Sequence, residues 1–156
     1  TDTFNEKVTS PMRLEAKKND LTFPESLILA SIVEREGKTD EDRPIIAGIL
    51  VNRLQADWPL QADATLQYAL GYQTKEKTWW KKELFDEDKE VRSPYNTYLH
   101  TGLPPAPICN PGLSAIKAAL YPKKSEYMYY IHDDKGIAHY ATTLDEHNAN
   151  VLQYLR

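Results

Sequence analysis

The sequence predicts an α+β domain that is mostly helical, with a small antiparallel β-hairpin and a long proline-rich loop. Three observations support this fold class. Apolar residues recur at helical spacing in several segments, residues 127–143 alternate around a turn-forming sequence, and five prolines fall within residues 93–112. The chain has 156 residues, which suits one domain, because domains commonly hold about 100–200 residues.

The positions of proline, glycine and charged residues predict the first helices. Residues 5–20 carry many charges and few apolar anchors, which predicts an exposed leading helix. Pro24 fits the first turn of the next helix and Gly37 fits its end, which predicts a helix over residues 24–35. Asp40 or Asp42 is expected to cap a third helix with an apolar stripe, formed by Ile45, Ile46, Ile49, Leu50 and Leu54.

The remaining elements are shorter. A helix is predicted over residues 64–70, ending at Gly71, and another over residues 113–120. Between them, residues 73–92 are polar and are expected to form a loop or a short helix at the surface. The hairpin is expected to pair residues 127–131 with residues 138–143. A last helix then begins near Leu144, with its inner side formed by Val151, Leu152 and Leu155.

Residues 93–112 cannot be regular structure, because each proline removes a backbone donor and fixes φ. A long ordered loop inside one domain often has a function, although a purely structural loop is also compatible with this sequence.

Composition excludes several classes of protein. The net charge is −4 and the basic residues are scattered, which argues against nucleic acid as a partner. No apolar run is long enough for a membrane-spanning helix. Cys109 is the single cysteine, so no internal disulfide is expected, and we interpret it as a small packed residue. Because the chain begins at Thr1 rather than Met, we expect a fragment or processed product whose anchor lies upstream.

Glu34 is the first candidate catalytic residue. If residues 24–35 form a helix, Leu27, Ala30 and Glu34 share one face. A carboxyl group that continues an apolar stripe loses solvation, which raises its pKa and suits it to donate a proton to a leaving oxygen. The alternative is a solvated glutamate in the last turn, beside Arg35 and Glu36.

Two further segments carry candidate binding residues. Asp63 in the segment 60–65 either caps the following helix or contacts substrate. Tyr95 and Asn96 in the segment 93–98 offer stacking surface and paired hydrogen-bonding groups, which suit recognition of an N-acetyl sugar. The histidines show no metal-binding spacing, and His139 and His147 are either structural or face a common cleft. The sequence therefore predicts no metal and no cofactor.

These motifs occur together and in a familiar order: Leu29-Ala30-Ser31-Ile32-Val33-Glu34-Arg35-Glu36, Leu60-Gln61-Ala62-Asp63-Ala64-Thr65, Ser93-Pro94-Tyr95-Asn96-Thr97-Tyr98, Gly102-Leu103-Pro104-Pro105 and Asn110-Pro111-Gly112. From about residue 24 to its end the chain resembles the YceG-like family of endolytic murein transglycosylases. Ala64 and Ala106 depart from the family pattern, which has proline and glycine there. The expected division is a leading segment over residues 1–20, from an N-terminal region with a membrane anchor and a LysM-like domain, and a catalytic domain over residues 21–156.

The resemblance implies cleavage of the β-1,4 bond between N-acetylmuramic acid and N-acetylglucosamine in peptidoglycan. It implies that Glu34 is the catalytic acid, and that the sugars are held by Gln61, Asp63, Tyr95, Asn96, Tyr98, His139 and Thr142. It also implies action on the outer side of the bacterial inner membrane, beside cell-wall synthases such as penicillin-binding proteins, with termination of nascent strands.

Two rival functions remain open from the residues. A hydrolytic muramidase would use Glu34 as the acid and Asp63 as the second carboxylate. A non-catalytic peptidoglycan-binding module would use the aromatic residues alone.

Overall fold

The computed structural model describes residues 2–155, and its elements follow the predicted α+β class. Helices dominate, and two strands form one antiparallel hairpin. Short 3-10 turns lie at Ala16–Asn19 and Asp86–Glu90. In chain order the elements are α1 (Asp2–Lys7), α2 (Ser10–Glu15), α3 (Phe23–Glu36), α4 (Asp42–Gln55), α5 (Asp63–Leu70), α6 (Leu113–Leu120), β1 (Tyr129–His132), β2 (Ala138–Ala141) and α7 (Leu144–Tyr154).

The leading segment forms two short helices and a 3-10 turn instead of one helix, and most of its residues are exposed as predicted, although three of them reach the core. Val8, Met12 and Ala16 are buried at 2%, 8% and 1% exposure. Their spacing of four residues places them on one side of this short helical segment, which explains how few anchors suffice. Leu14 lies off that side and stays exposed.

Helix α3 is the central helix of the domain and is bounded as predicted. Its start carries a capping box, in which Thr22 accepts from the N–H of Glu25 and the Glu25 carboxylate accepts from the N–H of Thr22. Pro24 lies in the first turn, and the helix ends at Gly37. Helices α4 and α6 both pack against α3.

Helix α4 packs closely against the segment that follows α6. The N–H of Lys123 donates to the carbonyl of Pro44 at 2.9 Å. One turn further along α4, a Cβ at position 48 would overlap the carbonyl oxygen of Lys123. Gly48 is therefore required by backbone-to-backbone contact and not by a turn.

We expect Gly48→Ala to lower the free energy of unfolding by at least about 2 kcal/mol, because the overlap outweighs the better helix propensity of alanine. Thermal unfolding of the variant and the wild type measures this. A melting temperature that is unchanged or raised would contradict the close contact.

The hairpin pairs Tyr129 with Ala141 and His132 with Ala138, close to the predicted strands. The predicted inner face of α7 is wrong for Leu152 and Leu155, which are 71% and 47% exposed, whereas Val151 is half-buried. Helix α7 contacts the two strands instead. Rings make that contact, with His147 stacked on Tyr129 and Tyr154 stacked on His139.

Residues 93–112 form an ordered segment without helix or strand, as the prolines predict. Within residues 2–155, no helix is both long and apolar enough to cross a membrane.

Candidate active site

A cleft of about 380 Å³ opens where α3, α5, the hairpin and α7 meet, and we call it the α3–α5 cleft. Three of the predicted site residues line it: Gln61, Asp63 and Tyr98. The side chains that sequence reasoning did not assign to the site are Glu36, Arg53, Tyr129 and Tyr130, while His147, which was left undecided, also lies on its wall.

Glu36 is the carboxyl group at the centre of this cleft. It is the last residue of α3, and its Oε1 accepts the backbone N–H of Ala64 at 3.1 Å. Helix α5 has no side-chain cap of its own, so Glu36 satisfies one of its free N-terminal donors. Burial raises the pKa of Glu36 to about 7, and the charge of Asp63 adds to the increase, whereas the Ala64 hydrogen bond opposes it.

Asp63 and Tyr98 form a pair beside Glu36. The Tyr98 hydroxyl donates to Oδ1 of Asp63 at 2.7 Å. Burial and this carboxylate raise the pKa of Tyr98 well above its usual value, so the phenol keeps its proton. Asp63 itself is exposed and is the first residue of α5, but its side chain caps no N–H of the helix, so the predicted capping role is wrong. Its predicted contact with substrate stays a prediction, and its place on the cleft wall is compatible with it.

The cleft is also lined by aromatic and cationic side chains. Arg53 is 7% exposed, and its guanidinium donates to the carbonyls of Met128 at 2.7 Å and Pro59 at 2.9 Å. It lies beneath the ring of Tyr129, on which His147 stacks at 4.8 Å between centroids. Burial lowers the pKa of His147, with Arg53 contributing, so its imidazole is neutral near pH 7.

The segment 93–98 serves mainly to hold the cleft together. Asn96 is 0% exposed, and its amide donates to the carbonyls of Lys89 and Val91 at 2.9 and 2.8 Å. Its Oδ1 accepts the N–H of Tyr98 at 2.9 Å. A sugar cannot reach these atoms, so the predicted substrate contact of Asn96 is corrected to a structural role that positions Tyr98.

Thr97 continues this structural role from the neighbouring position. Its hydroxyl accepts the N–H of Ala62 at 3.0 Å and lies 2.8 Å from the Thr65 hydroxyl, while its carbonyl accepts the N–H of Gln61. Gln61 has φ of 51°, an uncommon conformation for a residue with a side chain. These hydrogen bonds join the segment 60–65 to the segment 93–98 at the start of α5.

Tyr95 lies outside the α3–α5 cleft. Its ring contacts Tyr68 at 4.7 Å between centroids and lines a second cavity beside Cys109. Cys109 donates its thiol to the carbonyl of Ser31 at 3.2 Å, and burial raises its pKa, in keeping with a packed residue.

Glu34 points away from the α3–α5 cleft, towards the start of α6. Its Oε1 accepts the N–H of Gly112 at 2.8 Å, and its Oε2 lies 3.4 Å from Arg43. Arg43 also pairs with Asp40 at 2.8 Å, and the Glu34 side chain is 29% exposed. The two glutamates at the end of α3 thus fasten the starts of two different helices.

His139 and Thr142 do not line the α3–α5 cleft, so the sugar contacts predicted for them fall outside it. His139 Nε2 lies 2.9 Å from Oδ2 of Asp133, and its ring stacks on Tyr154 at 3.5 Å. The N–H of Thr142 donates to Glu146 at 3.0 Å. Both residues stabilise the hairpin and its junction with α7.

A signal for Glu36 was present in the sequence. Leu29, Ile32 and Val33 are 0% exposed, and Glu36 follows them at i+7, i+4 and i+3. The stripe that includes Glu34 begins at Leu27, which is only half-buried. No comparable signal exists for Arg53 or Tyr129, because their approach depends on how the hairpin packs. Within residues 2–155, no group of three or more His, Cys, Asp or Glu side chains is placed to hold a metal ion.

Comparisons with known proteins agree with these motifs. The profile of the YceG-like family matches residues 1–153. The chain belongs to the YceG-like family. A crystal structure of a putative YceG-like protein from Listeria monocytogenes shares this fold, with a TM-score of 0.78 and 41% identity over 90% of this chain and 44% of that one.

Two curated proteins are also similar to this chain. An endolytic murein transglycosylase of Bacillus subtilis (strain 168) is 40% identical over 141 residues, covering 90% of this chain and 37% of that protein. One from Streptococcus pneumoniae serotype 2 (strain D39) is 36% identical over 154 residues, covering 96% and 27%. The chain therefore spans less than half the length of these relatives.

Proposed function

We propose that this chain is the catalytic part of an endolytic lytic transglycosylase that cleaves the β-1,4 bond between N-acetylmuramic acid and N-acetylglucosamine in peptidoglycan. The observation that carries the proposal is Glu36, a carboxyl group with a pKa of about 7 inside a cleft lined by hydrogen-bonding side chains. The names of the two similar curated proteins, endolytic murein transglycosylases, support the same reaction.

The acid in this proposal is Glu36 and not Glu34. A general acid must be protonated near the working pH and must face the bound substrate. Glu36 meets both conditions, because it lines the α3–α5 cleft with a raised pKa. Glu34 is occupied by Gly112 and Arg43 on the other side of the helix end.

One carboxyl group is enough for the reaction. Protonated Glu36 donates its proton to the glycosidic oxygen, and the bond from that oxygen to the muramic acid anomeric carbon breaks. The Glu36 carboxylate then takes the proton of the muramic acid C6 hydroxyl, whose oxygen bonds to the same anomeric carbon. The product ends in 1,6-anhydro-muramic acid, and the intramolecular nucleophile needs no activated water because its effective concentration is very high.

Asp63 and Tyr98 support this chemistry from one wall of the cleft. Asp63 accepts the Tyr98 hydroxyl, and its charge acts on Glu36. That charge stabilises the oxocarbenium-like state through space and favours the protonated form of Glu36 in the resting enzyme. Gln61 supplies an amide at the cleft wall for hydrogen bonds to the sugar.

The product of the reaction tests the proposed function. Uncrosslinked glycan strands should be incubated with the protein, and the new ends should be identified by mass. We expect 1,6-anhydro ends, which are one water lighter than hydrolysed ends. Reducing ends as the main product would favour the muramidase alternative, with Glu36 and Asp63 as its two carboxylates. If the strands stayed intact, the non-catalytic peptidoglycan-binding module would be the remaining alternative.

The pH profile follows from the raised pKa of Glu36. Because the acid must be protonated, kcat/KM is expected to fall about tenfold per pH unit above a midpoint near pH 7. Initial rates on glycan strands between pH 5 and pH 9 would measure this. A rate that stays constant to pH 9 would contradict the assignment of Glu36.

Place and partners in the cell follow from the resemblance to the family. Peptidoglycan lies outside the inner membrane, so the proposed activity requires this part of the protein to act there. Cell-wall synthases, including penicillin-binding proteins, would then supply the nascent strands that it terminates.

A further inference from the structure

A second cavity of about 600 Å³ lies beside the α3–α5 cleft, and its walls are mainly aromatic. We call it the aromatic groove. The residues that line it are Tyr68, Ala69, Trp79, Trp80, Ser93, Tyr95, Ile108 and Cys109. It contains none of the residues that line the α3–α5 cleft. The proposed reaction gives it no role.

The aromatic rings of this groove are held open to solvent. Trp79 is 65% exposed and Tyr68 is 40% exposed. The ring of Tyr72 supports Trp79 at 5.3 Å between centroids, and Tyr95 supports Tyr68 at 4.7 Å. Exposed rings that are clustered and backed by other rings are typical of binding surfaces.

The segment that carries Trp79 and Trp80 is fixed to the body of the domain. Gln67 of α5 donates to the carbonyl of Lys81 at 2.8 Å, and Lys81 pairs with Asp88 at 2.7 Å. The guanidinium of Arg35 lies 3.8 Å above the ring of Trp80. The rings are therefore presented in a set geometry, so binding would cost little ordering of this segment.

Helix α5 and the segment 93–98 line both the groove and the cleft, and α3 lies next to both. Helix α3 contributes Glu36 to the cleft, and the preceding Arg35 covers Trp80 of the groove. Helix α5 contributes Asp63 to the cleft and Tyr68 to the groove, roughly 8 Å apart along the helix axis at 1.5 Å per residue. The segment 93–98 likewise contributes Tyr98 and Tyr95. The two cavities therefore adjoin the same helix α5, about 140° apart around it at 100° per residue.

We propose that the aromatic groove is a second glycan subsite, which binds sugar rings of the strand whose scissile bond lies at Glu36. This inference rests on the proposed function. The groove holds the strand at a distance from the bond that is cut, and so makes the protein favour long strands and cleavage within them.

The chemistry of the groove selects a sugar chain as its occupant. Its lining carries aromatic faces, a serine hydroxyl and tyrosine hydroxyls, and no ionised side chain. Flat rings with polar edges suit the apolar faces of hexose rings, and hydroxyls suit their rims. No cation is among the lining residues, and the guanidinium at the edge of the groove, that of Arg35, is stacked on the ring of Trp80.

Binding of N-acetylglucosamine oligomers tests the subsite directly. Calorimetric titration should compare a hexamer with a dimer, using Glu36→Gln protein so that no cleavage occurs. We expect the hexamer to bind more tightly than the dimer. Adding Trp79→Ala should weaken hexamer binding about 5- to 30-fold, the effect of losing one aromatic anchor, and leave dimer binding unchanged.

Two variants serve as controls for this titration. Trp79→Phe keeps a ring and should retain most of the hexamer affinity. Tyr121→Ala removes a ring that is 47% exposed but lies outside both cavities, and it should change nothing. The subsite would be ruled out by equal binding of dimer and hexamer, or by a Trp79→Ala variant that binds the hexamer like the parent.

A cleavage assay separates this inference from the proposed function. With Glu36 intact, Trp79→Ala should still produce 1,6-anhydro ends, but with a higher KM on long strands and with shorter strands cut almost as well as long ones. Anhydro ends with an unchanged length preference would overturn the subsite and leave the proposed function standing. If hexamer binding depended on Trp79 but the protein cleaved no strands, the subsite would stand and the proposed function would be overturned.

Discussion

Glu36→Gln is expected to lower kcat on glycan strands by about 10²–10⁴-fold, which is the usual contribution of general acid–base catalysis. Glutamine keeps the size of the side chain and can still accept the N–H of Ala64, which lies 3.1 Å from Oε1 in the wild type. It cannot deliver a proton to the glycosidic oxygen. The release of 1,6-anhydro ends per unit time, measured with saturating strands, gives the size of the loss.

Glu34→Gln is the matched control for this experiment. It makes the same chemical change two residues away, keeps an acceptor for the N–H of Gly112, and removes only the charge opposite Arg43. Activity within a few-fold of wild type is expected. If Glu34→Gln abolished the activity and Glu36→Gln retained it, the acid would be Glu34, as the family resemblance alone implied.

Stability supplies a second readout for Glu36→Gln. The pKa of Glu36 is near 4.5 when unfolded and about 7 when folded, so the folded state binds more protons between these values. Stability therefore falls as the pH rises through this window, because ionised Glu36 is unfavourable in the cleft. We expect Glu36→Gln to be more stable than wild type by about 1–3 kcal/mol at pH 8, and by little at pH 4.5.

The fold could be predicted where local signals agreed with tertiary packing. Helix α3 has proline in its first turn, glycine at its end and a buried stripe, and all three appear in the structure. Helix α7 shows the limit of this reasoning. Leu152 and Leu155 look like an apolar face, but the neighbouring hairpin offers rings, and Tyr154 packs on His139 instead.

The site could be predicted by motif, but not by the direction of each side chain. Glu34 and Glu36 share one motif, and a rotation of about 200° around the helix separates them, at 100° per residue. The face that meets α5 is set by packing against distant segments, which periodicity alone did not decide. Gln61, Asp63 and Tyr98 do meet in one cleft, because the buried Thr97 fastens their segments together.

Asn96 is the residue whose predicted role changes most, because its amide is buried and fully used. Substitution of Asn96 is therefore expected to lower the stability of the fold and not to remove a contact with the sugar. We expect Asn96→Ala to lower the free energy of unfolding by about 2–4 kcal/mol, since the carbonyls of Lys89 and Val91 and the N–H of Tyr98 lose their partner. In a chain of this size, the melting temperature should fall by about 5–15 °C.

Asn110→Ala is the control for this variant, because Asn110 lies in the same proline-rich segment and is exposed. It should change the free energy of unfolding by no more than about 0.5 kcal/mol. Activity of Asn96→Ala, assayed well below its melting temperature, separates the two roles. A substrate contact would lower kcat/KM with an unchanged melting curve, which would contradict the structural role. Because Asn96 holds the backbone of Tyr98, we expect the melting curve to shift first and any loss of activity to follow the displacement of Tyr98 from Asp63.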